Sequence, residues 1–203
     1  MSKGRFSYIL WGMVASVMLL SSPAHAQFSK SYQFLEAVRK KDGAAVTTAL
    51  DQSTTIVNTR DVTSGETPLH IVTARRDVLW MGFLLGRGAD ANMRDGKGQT
   101  PLVLAANMGM TDGVTLLIAN GARIDEPSSI GETPLIAAVH RRDIQMMRIL
   151  LKAGANPDRS DNSGRTARDY ALIDGKNSQL VSEIETNAKK ITSGGAGSYG
   201  PKL

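Results

Sequence analysis

Residue types able to do chemistry are scarce in this chain. Beyond position 26 there are only two histidines, His70 and His140, and there is no cysteine anywhere, which removes thiol nucleophiles, thiolate metal ligands and disulfides together. Neither histidine has a neighbour at a metal-ligand spacing such as H-E-x-x-H. Asp77 and Asp143 resemble an acid–base pair, and Gly65, Gly98 and Gly131 resemble loop glycines of the kind that cradle a phosphate. Both sets share one spacing, however: the glycines recur every 33 residues, and the two aspartates stand two such steps apart. A recurring polar residue is explained first by a recurring element, and a helix N-cap accounts for an aspartate in front of an apolar run. The remaining chemistry is basic. Arg75-Arg76 and Arg141-Arg142 also stand two steps apart and bracket Met108, and guanidinium pairs around an adaptable thioether suit a carboxylate-bearing partner with an apolar anchor.

The elements that would position these side chains follow from two recurring blocks. The first is Gly65-Glu-Thr-Pro-Leu-His70, Gly98-Gln-Thr-Pro-Leu-Val103, Gly131-Glu-Thr-Pro-Leu-Ile136 and, degenerate, Gly164-Arg-Thr-Ala-Arg-Asp169. Glycine supplies a turn, Thr67, Thr100 and Thr133 can cap a helix, and Pro68, Pro101 and Pro134 fit its first position. A short apolar helix follows, with Ala105-Ala106 or Ala137-Ala138 small enough for close helix approach. Second helices are predicted to begin near Val78, Thr111 and Ile144 and to stop at Gly88, Gly121 and Gly154, the left-handed C-terminal glycine. The connector to the next Gly-x-Thr-Pro is too short for a third helix. Trp80 is expected in the core and Leu79 exposed, an apolar spot on the side away from the groove.

G-x-T-P-L-H, a double leucine and G-A-D-x-N at this period resemble the ankyrin repeat, over about 34–190, most closely in the three middle units. The resemblance implies L-shaped units of two antiparallel helices with a projecting hairpin, stacked in a curved solenoid. It also implies that His70 is a structural hydrogen-bonding residue. The expected fold is all-α: an ankyrin-repeat solenoid of stacked helix-turn-helix units with short hairpin loops, about five repeats including two degenerate caps, over 27–191. The units are placed at about 32–61 (cap), 62–94, 95–127, 128–160 and 161–190 (cap). Asn58-Thr-Arg-Asp61 matches Asn92-Met-Arg-Asp95 at an offset of 34, so one residue is inserted before Gly65. Caps are polar and atypical because one side of each faces water. The Gly-rich tail 192–203 is expected to lack fixed structure.

Lys3 and Arg5, the uncharged run Tyr8–Leu20 and the small-x-small site ending at Ala26 read as an export signal over 1–26, too short for a membrane span. A periplasmic location, or alternatively secretion, is expected. No cysteine adjoins the junction for lipidation, and no Arg-Arg pair precedes the apolar run for twin-arginine export. Without Lys3 and Arg5, the 24 basic and 19 acidic side chains become 22 and 19, a formal charge of +3 on the remaining 177 residues. Dispersed charge of that size argues against nucleic acid as the partner. No other run approaches a span, so no membrane span is expected once the signal is removed.

These readings converge on a non-catalytic, exported scaffold that uses no cofactor and no metal and holds a partner protein. The partner-binding residues expected in its concave groove are the first-helix ends Arg75, Arg76, Asn107, Met108, His140, Arg141 and Arg142, with the hairpin residues Glu66, Lys97, Gln99, Ile130 and Glu132. Alternatives are a binder or inhibitor of an exported enzyme or toxin, or of an anionic small molecule or envelope surface. Caps that close both ends of a stack imply a monomer.

Overall fold

The computed structural model describes residues 29–194 apart from 174, 176 and 177, and of residues 189–194 only the main chain. The expected export signal therefore lies outside the described residues, as does the tail from 195 onward. Ten α-helices form within this range, in five pairs: α1 Lys30–Lys40 and α2 Gly43–Gln52; α3 Pro68–Ala74 and α4 Val78–Gly86; α5 Pro101–Asn107 and α6 Thr111–Ala119; α7 Pro134–His140 and α8 Ile144–Lys152; α9 Ala167–Ile173 and α10 Gln179–Gly194. No β-strand occurs among the described residues; one isolated bridge joins Ser160 to Thr166.

The helix starts are where the side-chain chemistry dictates. Hydroxyls of Thr67, Thr100 and Thr133 accept from the main-chain N–H of His70, Val103 and Ile136, and a proline follows each at the first helical position. Asp77 and Asp143 do the same for α4 and α8 by accepting from Trp80 and Met146. In the last unit Thr166 and Asp169 exchange bonds, 2.9 Å from the Thr166 N–H to the Asp169 carboxylate and 3.1 Å from the Asp169 N–H to the Thr166 hydroxyl. That reciprocal cap stands in for the missing proline.

Between units the chain makes a hairpin of fixed pattern. The N–H of Asp95 donates to the Gln99 carbonyl, that of Ser128 to Glu132 and that of Asp161 to Arg165, each at 2.9 Å. In the first hairpin Asp61 donates to Glu66, five residues on rather than four, so the inserted residue sits in the hairpin tip. Asn58 and Asn92 then tie each unit to the next. Their side-chain amides donate to the Gly88 and Gly121 carbonyls, and their side-chain oxygens accept from the N–H of Asp90 and Arg123. Asp125 repeats the accepting half of this bond with Asn156 at 2.9 Å.

Helices α1, α3, α5, α7 and α9 pack in one row, and α4, α6, α8 and α10 in a second. Leu69, Leu102 and Leu135, which open the first helices, are at most 1 % exposed, as are Leu84, Leu117 and Leu150 from the second helices. Each such leucine contributes ~1.5–3 kcal/mol. Ala105, Ala106, Ala137 and Ala138 are also buried, and α5 and α7 pack directly against each other across them.

In the first cap the chain after α2 continues through a 3₁₀ turn at Thr54–Asn58 that buries Val57. The tail is expected from the sequence to begin at 192, but Thr192, Ser193 and Gly194 are the end of α10. Helix extension adds one hydrogen bond per residue fixed, so it runs on until the glycine cluster that begins at Gly194.

Gly65 carries φ +70°, and a Cβ there would stand 2.6 Å from the Gly96 main-chain nitrogen; Gly154 has φ +100° but open space around it. Left-handed strain alone costs about 1–2 kcal/mol. Gly154→Ala should lower stability by roughly that amount, and Gly65→Ala by about twice as much because main chain must move. Thermal melts followed by circular dichroism check the order: equal melting temperatures for the two variants would contradict it.

Candidate functional site

The residues with catalytic chemistry are held by the fold's own hydrogen bonds. His70 is fully buried, with Nδ1 2.8 Å from the Thr67 hydroxyl and Nε2 3.0 Å from the Gln99 carbonyl. It thus links the start of α3 to the next hairpin. Burial pushes its pKa below the ordinary 6.5, against the raising effect of the Gln99 carbonyl. Asp77 is an N-cap that also pairs with Lys41 at 2.8 Å and Arg75 at 3.3 Å. Asp61 accepts from the N–H of Ser64 and Thr63 and from Arg39, and these bonds, led by Ser64, hold its carboxyl at about 2. Among the described residues, no group of three or more His, Asp or Glu is arranged to hold a metal ion.

The basic residues of the expected groove divide into two sets. Arg76, at the left-handed turn after α3 (φ +59°), donates from Nη1 to the Met108 carbonyl at 2.8 Å. Arg141 reaches back from the other side and donates to the Asn107 carbonyl at 3.2 Å. Two units thus send a guanidinium to the C-terminal end of α5, whose last carbonyls have no partner within the helix. Met108 lies between them, half-buried with its side chain against the core. Arg142, with φ +54°, is exposed one residue further along.

Arg75 does not join this cluster, which corrects the expected set of four guanidiniums around Met108. It turns to the preceding unit, donating to the Val38 carbonyl at 2.8 Å, pairing with Asp77 and lying 5.6 Å over the Trp80 ring. The carbonyl end of α1, an anion and an aromatic face all draw it there. Sequence position alone does not reveal this, because Arg75 and Arg141 are equivalent in the repeat and differ only in what the neighbouring unit offers.

The hairpin residues are similarly divided. Gln99 and Glu66 accept at their carbonyls from His70 and Asp61, and the Glu66 carboxylate takes the Ser64 hydroxyl at 3.0 Å. Lys97 is exposed at its tip, and Ile130 is 65 % exposed. Glu132 pairs with His140 Nδ1 at 3.0 Å, and the His140 ring meets Tyr170 edge-on with centroids 4.3 Å apart. The structure adds residues that the residue pattern does not single out. Arg94 donates to the Gly98 and Pro127 carbonyls and pairs with Glu126, and Val62, the inserted tip region's apolar side chain, is fully exposed. The offset of 34 between neighbouring blocks is the available signal for Val62.

Two family models match the chain. One, described as ankyrin repeats in three copies, covers residues 34–128, and the other, ankyrin repeats in many copies, covers 117–171. A comparison with curated proteins finds no match.

The shifted groups fix a pH dependence. Because the folded pKa of His70 lies below 6.5, its contribution is fully present above that value and is lost as pH falls from it toward the lowered pKa. Asp61 acts in a separate window, from 3.8 down toward 2. Denaturant melts should show wild-type stability declining as pH drops below 6.5, with His70→Ala less stable at neutral pH and flatter across that upper window. A slope unchanged by the substitution would refute the assignment.

Proposed function

Because the chain belongs to the ankyrin repeat family, whose repeats mediate protein–protein interaction, we propose that it is an exported scaffold that binds a partner protein through its hairpin tips and first-helix ends. The observation that carries this reading is the convergence of Arg76 and Arg141 on the end of α5. Both guanidiniums belong to exposed residues, they flank Met108, and each carries donors beyond the one engaged. Exposed Ile130 and Lys97 stand on the hairpins beside this row. A carboxylate-bearing surface with one apolar anchor fits this combination, since guanidinium forks bind carboxylates in two-point fashion and methionine adapts to irregular apolar shapes.

Export rests on the residue pattern of 1–26, with its basic start, uncharged run and small-x-small site. Among the described residues no helix is long and apolar enough to cross a membrane. Stability in an oxidising compartment without disulfides falls to packing and to the inter-unit bonds described above.

Affinity purification from the native envelope fraction tests the reading. A protein retained by the wild-type chain should be retained at least tenfold less by the double variant Met108→Asp, Arg141→Glu, while the variant's circular dichroism spectrum stays unchanged. Equal retention of the same protein by both chains would remove this surface from the account.

A further inference from the structure

Three connectors carry a side chain that ties one hairpin to the next. Asn58 and Asn92 use both ends of the amide. Their side-chain N–H donates to the Gly88 or Gly121 carbonyl at 3.1 or 3.0 Å, and their side-chain oxygen accepts from the N–H of Asp90 or Arg123 at 2.8 or 2.7 Å. The third place in this 33-residue register is Asp125, for which the corresponding groups are the Gly154 carbonyl and the Asn156 N–H. The Asn156 N–H donates to the Asp125 carboxylate at 2.9 Å. An ionised carboxylate accepts and cannot donate, so it has no proton for the Gly154 carbonyl, where the two asparagines supply one to its counterparts.

The same joint lacks a second tie. Arg60 donates to the Arg94 carbonyl, and Arg94 in turn to the Pro127 carbonyl at 2.6 Å. The next residue in that series is Pro127 itself, which has no side-chain donor for Ser160. Nearer the tips, Asn162 holds the two hairpins together by donating from its main chain to the Ile130 carbonyl at 3.3 Å and from its side chain to Ser129 at 3.0 Å. At the base of the joint Asp125 is the tie. It is half-buried, and the charged groups around it are few: Arg159 is exposed on the following hairpin, Asp158 is bound by Arg168 at 2.9 Å, Glu126 is bound by Arg94, and Arg123 is exposed in its own connector. Burial raises the Asp125 pKa above the ordinary 3.8, against the lowering effects of the Asn156 N–H and of Arg159.

We propose that Asp125 is a proton-operated latch between the connectors 121–132 and 154–165: protonated, its carboxyl donates to the Gly154 carbonyl while still accepting from Asn156, and ionised, it makes the second bond alone. The protonated form reproduces the asparagine pattern of one donor and one acceptor. Because the folded chain binds this proton more tightly than the unfolded chain, stability is gained as pH falls through the raised folded value, and the gain is full below 3.8. That trend runs opposite to the one set by His70, whose contribution is lost as pH falls. The latch uses no residue of the partner-binding row, so the proposal stands apart from that reading.

Thermal melts of the full chain and two variants between pH 7 and pH 4 test it. Asp125→Asn is latched at every pH and should melt about 2–4 °C above the wild type at pH 7, with the difference shrinking steadily as pH falls to 4. Asp125→Ala also removes the half-buried charge but cannot bridge, so it should melt about 2 °C or more below Asp125→Asn at both ends of the range. His70 and Asp61 are present in all three chains, so their own pH dependence cancels in these differences. Amide exchange, corrected for its intrinsic pH dependence, gives a local readout. The Asn156 N–H should be at least threefold less protected in the wild type than in Asp125→Asn at pH 7, and equally protected at pH 4. An asparagine variant no more stable than the wild type at pH 7, an advantage that persists unchanged to pH 4, or an alanine variant that matches the asparagine one overturns the proposal.

Discussion

No single unit of this chain can bury its own apolar face. A pair of helices, nine of the ten only seven to eleven residues long and α10 sixteen, has too little interior for that, and the leucines that open α3, α5 and α7 reach full burial only because a neighbouring pair covers them. Everything else in the structure follows from the need to hold adjacent pairs in register. The alanines of α5 and α7 let the first helices meet closely, and the hairpins supply a second line of contact, made of hydrogen bonds, at the far edge of each unit.

That second line is built mostly from short polar side chains aimed at main-chain groups. Asn58, Asn92 and Asp125 bridge successive hairpins, His70 spans from its own helix start to the Gln99 carbonyl, and arginines close the gaps at helix ends. Arg75, Arg76 and Arg141 all donate to carbonyls of a neighbouring unit. Much of the polar chemistry that would otherwise suggest catalysis is in this way already committed to the joints between units, and the family to which the chain belongs is typically a non-catalytic scaffold. What these joints leave uncommitted is their outward side together with the hairpin tips.

The repeat made most of the fold legible. Cap residues, helix starts, left-handed glycines and the inserted hairpin residue are local chemistry, and each stands where the residue pattern places it. Side-chain direction was less legible. Arg75 and Arg141 occupy one repeat position, yet the first is drawn by the end of α1, Asp77 and Trp80, and the second by the end of α5. Such choices depend on neighbours that differ from unit to unit, most of all next to a cap. Trp80 shows the same limit: a periodic position that is core elsewhere cannot be fully covered when its side chain is an indole. The length of α10 was missed because a glycine-rich tail says where a helix must stop, but not how far a neutral stretch before it will be recruited.

Contacts that join only successive units also set the order in which the molecule comes apart. Pulled from its ends or warmed, a linear stack releases its outermost pair first and exposes the next, like a zipper opened from a terminus. The first cap, which leaves α2 standing off from α4 across an open cleft, is the natural place for such an opening to begin, while the alanine-lined seam between α5 and α7 would be the last to separate.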